Sequence, residues 1–327
     1  MAAEPVIRKV EYTEQGFFAF NDTNRVYNYC GHEGPSWLSR AKMNMGPDWY
    51  YHDAPPIEYH IDSRGFRNEK EIEEISEDPN WFLFDVGCFS LAPGVHSAET
   101  MSARFTEITG YPTYNLSVIG SLTYTTNYNI MRIASEWKNP PKGIVTWMST
   151  CPYATSYNRQ GNSIRGGQGG QIMTLNHISA SLIKQNPVVH KWGEYLNSGI
   201  AEWQYQTLYE SQVNFAKAIG SQIYWVAGNT KENHFPGHFI EKLENLSHRE
   251  NIPTVWCRTE MGENMMIDVY KTTFEEQCEF HDRYFLDTMK MAKPMEGVDH
   301  TRLGRDLIHP GPKVQSEVAQ RLSELVL

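Results

Sequence analysis

The sequence predicts an α/β fold: a three-layer, doubly wound, flavodoxin-like parallel sheet of about five strands. Three observations point there. Five short runs are apolar without strict alternation, the pattern of strands buried on both faces. Helical patterns lie between those runs, as crossover helices do between parallel strands. The chain then closes on an amphipathic helix opened by Gly311-Pro312.

Residues 1–78 are expected to form an aromatic-rich, irregular extension packed on an α/β domain of residues 79–327. In it Tyr27, Tyr29, Trp37, Trp49, Tyr50, Tyr51 and Tyr59 stand among Gly and Pro with little periodicity. Such aromatics read as packing, or as a stacking platform for a ring-shaped ligand. A short acidic helix, Glu69 to Ser76, leads to Asp78-Pro79. The five strand candidates are WFLFDVG (81–87), TYNLSVIG (113–120), GIVTWMS (143–149), SQIYWVAG (221–228) and IPTVWC (252–257). Helices are predicted over Glu99 to Ile108, Asn127 to Trp137, Asn197 to Ile219 and Phe239 to Arg249. In the last helix Pro312 suits the first turn, and Val314, Val318, Leu322 and Leu325 share one face. The Gly-rich stretch 159–171 reads as a surface loop or lid over an anion site. It lacks the phosphate-loop patterns and does not directly follow a strand.

Composition narrows the function classes. The 327 residues carry 29 basic and 39 acidic side chains, a formal net charge of −10. That balance, with no basic block, argues against general nucleic-acid or anionic-membrane binding. Hydrophobic residues at 40% are enough for a core, which argues against global disorder. Cys30, Cys88, Cys151, Cys257 and Cys278 are odd in number and lack close CxxC spacing. They make neither a disulfide framework nor a zinc ribbon, and they suggest a reducing compartment. The first residues lack a basic stretch followed by an apolar run, and no stretch approaches the ~20 apolar residues of a membrane span. The expectation is a soluble, cytoplasmic chain without cofactor or metal; a virion component would look the same.

In open α/β sheets, sites lie beyond the C-terminal ends of the strands. The first strand candidate leads into Gly87-Cys88-Phe89-Ser90, a tight turn with a thiol and a hydroxyl. The second leads to Gly120-Ser121 and the third to Ser149-Thr150-Cys151-Pro152. Before the final helix stands Asp306-Leu307-Ile308-His309. At that spacing a carboxylate can hold one imidazole nitrogen and leave the other as a base. His234-Phe235-Pro236-Gly237-His238 reads as a loop, and Cys257 and Cys278 as structural. Cys88 and Cys151 could also approach as a redox pair, or with His309 as a metal site, though without motif spacing.

These blocks, in this order, resemble the SGNH (GDSL-type) hydrolases over about residues 60–327. Asp306-Leu307-Ile308-His309-Pro310 is similar to that family's last block. Asp62-Ser63-Arg64-Gly65-Phe66-Arg67 resembles its NxxGFR string, and Asn115 to Gly120 its second block. The resemblance implies ester hydrolysis or acyl transfer by a nucleophile–His–Asp triad. The substrate would be an acyl ester of a small molecule, carbohydrate or lipid. His309 and Asp306 take the last two places. Aligning on Gly94-Val95 without a gap puts Cys88 in the place of the serine; aligning on Ser90-Leu91 shortens the loop and makes Ser90 the nucleophile. The resemblance gives Gly120 an oxyanion-hole N–H. Thr150 or Cys151 stands where the family has an Asn, a donor whose loss costs roughly 3–4 kcal/mol. Two altered blocks leave a second reading open: a catalytically inactive SGNH-like binding or structural protein of bacterial or phage type, with the aromatic N-terminal part as its interaction surface.

Overall fold

A computed structural model describes residues 10–30, 34–119, 123–148, 156–158, 172–174, 199–227, 237–256, 301, 304–306 and 309–327. Its N-terminal part is more regular than expected. Strands β1 (Val10–Tyr12) and β2 (Phe18–Phe20) form an antiparallel pair. A second antiparallel pair joins β3 (Arg25–Tyr27) to β4 (Tyr59–Ile61). Between the members of that pair lies α1 (Pro35–Met45), a helix the sequence reading missed. Its signal was three apolar residues at four-residue spacing, Trp37, Ala41 and Met45, all buried, with Pro35 in the first turn. The expected acidic helix is the single turn α2 (Ile72–Ile75), which buries both isoleucines.

The α/β unit then follows the predicted order. It runs β5 (Phe82–Asp85), α3 (Cys88–Leu91), α4 (Met101–Thr109), β6 (Thr113–Asn115), α5 (Thr123–Ile133) and β7 (Gly143–Met148). A short antiparallel pair, β8 (Ser156–Asn158) and β9 (Ile172–Thr174), precedes α6 (Gly199–Ala218). The chain continues through β10 (Gln222–Ala227), α7 (Gly237–Arg249), β11 (Thr254–Trp256) and α8 (Pro312–Val326). The main sheet has the order β11-β10-β7-β5-β6, and every pairing in it is parallel. Numbered by these five strands alone, that is the 2-1-3-4-5 order of flavodoxin-like sheets.

Side-chain alternation explains why each strand reads as a continuous apolar run. Phe82, Phe84 and Val86 face one layer with Val145, Tyr224 and Val226; there they meet Met101 and Phe105 of α4 and Val318, Ala319 and Leu322 of α8. Trp81, Leu83, Ile144, Ile223 and Trp225 face the other layer, against Ile130, Ile133, Tyr209 and Val213. That second core also takes in Phe17, Phe20, Tyr27, Trp37, Trp49, Tyr51, Tyr59 and Phe66. The N-terminal aromatics are therefore largely interior; Tyr50 is the one of the seven with a substantially exposed side chain, at 41%. The chain leaves β5 for the edge strand β6 and returns on β5's other side as β7. In sheets of this kind sites lie at such a reversal, outside the C-terminal ends of the strands; here α3 begins at the C-terminal end of β5.

Candidate active site

Asp85 ends β5, and Gly87 makes the turn that follows with φ +59, a left-handed value that favours glycine. Cys88 therefore opens α3 directly above the strand, with a partly exposed side chain. Ser90, on the same helical turn, is turned into the protein. It is fully buried, its Oγ accepts from Val86 N–H at 3.0 Å, and it is hydrogen-bonded to Ser117 Oγ. Asn115 Nδ2 in turn donates to the Ser90 carbonyl at 2.7 Å. The hydroxyl of Ser90 is thus committed to the β5–β6 junction.

The Asp306–His309 turn is built as its spacing suggests. Asp306 is buried; one carboxylate oxygen accepts the His309 backbone N–H at 3.0 Å, and the other is hydrogen-bonded to His309 Nδ1. Gly304 N–H donates to the His309 carbonyl at 2.7 Å and closes the loop. The Cys88 thiol acts on the His309 imidazole by charge and by hydrogen bonding. His309 thus stands between Asp306, which holds its Nδ1, and Cys88, whose thiol acts on the imidazole; Asp306 is 1% and His309 18% exposed. Gly120, Thr150 and Cys151, like the 159–171 loop, His234, Cys257 and Cys278, lie outside the described residues. Among the described residues no group of three or more His, Cys, Asp and Glu could hold a metal ion. None of the described helices is long and apolar enough to cross a membrane.

Three groups hold this arrangement, and none was singled out from the sequence for that role. The first is Gly94, whose carbonyl accepts Arg305 N–H at 2.7 Å, so the loop after Cys88 lies directly against the turn before His309. The second is Arg67. Its guanidinium donates to the carbonyls of Leu91, Ala92 and Val95 at 2.8, 2.9 and 2.8 Å and lies over the Tyr59 ring at 4.3 Å. Tyr59 Oη in turn accepts Gly94 N–H at 2.7 Å. The third is Gln315 of α8, fully buried beneath both loops. The string Asp62 to Arg67 thus bears on the loop that follows Cys88. Asp62 itself accepts from Arg64 N–H, Phe66 N–H and Tyr114 Oη at 2.9, 2.9 and 2.6 Å and holds the string's turn closed.

Burial pushes the His309 pKa down, while Asp306 and Cys88 push it up by charge and by hydrogen bonding. The balance lies well above the ordinary histidine value. A raised native pKa stabilises the fold fully below the unfolded histidine's value, near ~6.5, and that contribution is lost as pH rises through the native value. Removing the Asp306 charge leaves burial less opposed. The imidazole of His309 in Asp306→Asn is therefore expected to titrate at lower pH than in the wild type, followed by histidine NMR. An unchanged titration would mean that Asp306 does not govern the imidazole.

No family model matches the chain, and no curated protein matches it. Solved structures similar to it include a protein assigned to the G-D-S-L lipolytic family from Desulfitobacterium hafniense, at 8% identity and TM-score 0.39 over 76% of this chain and 99% of that one. TesA is similar at 14% identity and TM-score 0.38, over 76% of this chain and 98% of its own. The acetyl xylan esterase AlAXEase is similar at 11% identity and TM-score 0.39, over 76% and 100%. At such scores these likenesses carry no weight for the chemistry, which rests on the site's own geometry.

Proposed function

We propose that this protein cleaves esters by covalent catalysis, with Cys88 as nucleophile, His309 as the proton carrier and Asp306 as the group that orients His309. The substrate is an acyl ester of a small molecule, carbohydrate or lipid, and the acyl group passes to water or to an alcohol acceptor. The observation that carries this reading is the hydrogen-bonded Asp306–His309 pair packed against the Cys88 loop at the sheet's switch point.

The chemistry follows the properties of these groups. With the proton on His309 Nε2, the sulfur of Cys88 attacks the ester carbonyl and the carbonyl electrons move to oxygen. Collapse of that intermediate breaks the C–O bond, and His309 gives its proton to the departing alkoxide. The thioester left on Cys88 is then attacked by water or an alcohol, whose proton His309 takes up. The acid or new ester departs and returns the starting pair. Asp306 holds the imidazole in the tautomer that points Nε2 at sulfur. The N–H groups of Cys88 and Gly120, with Thr150 or Cys151, are proposed to hold the oxyanion.

Serine- and cysteine-directed probes test this reading on the full chain. Cys88 is expected to be labelled, and labelling is expected to be lost in His309→Ala. Labelling at Ser90 would move the nucleophile. Absence of label at both sites would favour an inactive, binding role and overturn the proposal.

A further inference from the structure

Cys88 and His309 come from segments more than two hundred residues apart, so something must fix their separation. One side chain touches the backbone beside each of them. Gln315 lies in the first turn of α8 and is fully buried. Its Nε2 donates to the carbonyl of Phe89, next to Cys88, at 2.7 Å, and to the carbonyl of Pro310, next to His309, at 3.2 Å. Its Oε1 accepts the Met101 N–H at 2.9 Å, one of the N–H groups that a helix start leaves without an intrahelical partner. Both amide hydrogens and the amide oxygen are thereby used, and all three partners are main-chain atoms. An amide in this position cannot be replaced by another side chain of its length without loss. A carboxylate offers no donors, and an apolar chain leaves two half-buried carbonyls and a buried N–H without their partner.

We infer that Gln315 is a positioning residue that sets the separation of Cys88 and His309 by clamping Phe89 and Pro310 to one amide. The inference rests on the reading of Cys88 and His309 as the reacting pair. Gln315 touches no reacting atom and acts through the two loops.

The test is the pH dependence of Cys88 alkylation by iodoacetamide on the full chain, with the modified peptide identified by mass spectrometry. It needs no substrate. The wild-type profile is expected to change in His309→Ala, because the imidazole acts on the thiol. In Gln315→Met the profile is expected to move toward that of His309→Ala, with the rate at neutral pH falling by roughly tenfold or more. A misplacement of about 1 Å costs catalytic groups up to roughly a hundredfold. If Gln315→Met fails to melt cooperatively, Gln315→Glu is read instead, since it keeps the acceptor for Met101 N–H and loses both donors. A folded Gln315 variant with a lowered Tm and a wild-type alkylation profile would show a purely structural residue and overturn the inference. An unchanged profile in His309→Ala would instead overturn the Cys88–His309 pair itself, so the two failures are distinguishable.

Discussion

Cys88→Ala is expected to abolish ester turnover, lowering kcat by on the order of 10⁶-fold, the loss found when the nucleophile of a hydrolytic triad is removed. That factor corresponds to roughly 8 kcal/mol of transition-state stabilisation. The measurement is steady-state hydrolysis of a short-chain nitrophenyl ester. Ser90→Ala is the informative comparison, because Ser90 is the other nucleophile that the sequence allows. Its Oγ is engaged by Val86 N–H and Ser117 within a buried network, on the side of α3 that faces the β5–β6 junction. Losing that hydroxyl leaves buried partners short of a hydrogen bond, at a cost of about 1–3 kcal/mol. Ser90→Ala is therefore expected to lower Tm while keeping turnover within about tenfold of wild type. Turnover that survives Cys88→Ala and disappears in Ser90→Ala would reverse the assignment.

The contrast between these two residues also marks how far the sequence could be read. Cys88 and Ser90 were both candidates because spacing alone does not say which side of a turn faces the crevice. In the structure Gly87 turns the chain with φ +59, Cys88 at the start of α3 is partly exposed and Ser90 is fully buried, a difference that burial and not spacing reveals. The five strands were legible because each is covered on both faces, so nearly every position in Phe82–Asp85 or Gln222–Ala227 is buried. Asp306 and His309 were legible because the contact is local, within one turn. Helix α1 was not, because its stripe of Trp37, Ala41 and Met45 is diluted by glycines, prolines and aromatics whose burial comes from tertiary packing. The supports of the site were hidden for a different reason. Gln315 meets Phe89 and Met101 across 226 and 214 residues, and Arg67 binds carbonyls, so their contacts leave no side-chain pattern to find.

The second large effect is expected at Gly94. A Cβ placed there would lie 2.4 Å from Arg305 N and 2.7 Å from Asp306 N, both main-chain atoms, and the residue has φ +75. Two costs are therefore mixed in Gly94→Ala: the left-handed backbone and the clash with the turn that carries Asp306 and His309. Gly110 separates them. It has the same φ of +75, at the C-terminal end of α4, and a Cβ there meets nothing within 4 Å. Both variants bear the backbone cost, roughly 1–2 kcal/mol for a left-handed residue with a side chain. Only Gly94→Ala must also move the Arg305–Asp306 backbone, by about 1 Å to reach ordinary contact distance. Such a displacement carries His309 away from Cys88, and a misplacement of that size costs roughly a hundredfold in rate. Gly110→Ala is thus expected to lower Tm with near-wild-type turnover, and Gly94→Ala to lower Tm further and kcat by roughly a hundredfold. Equal losses of activity in the two variants would mean that the close approach of Gly94 to the Asp306 turn is not what holds the reacting groups together.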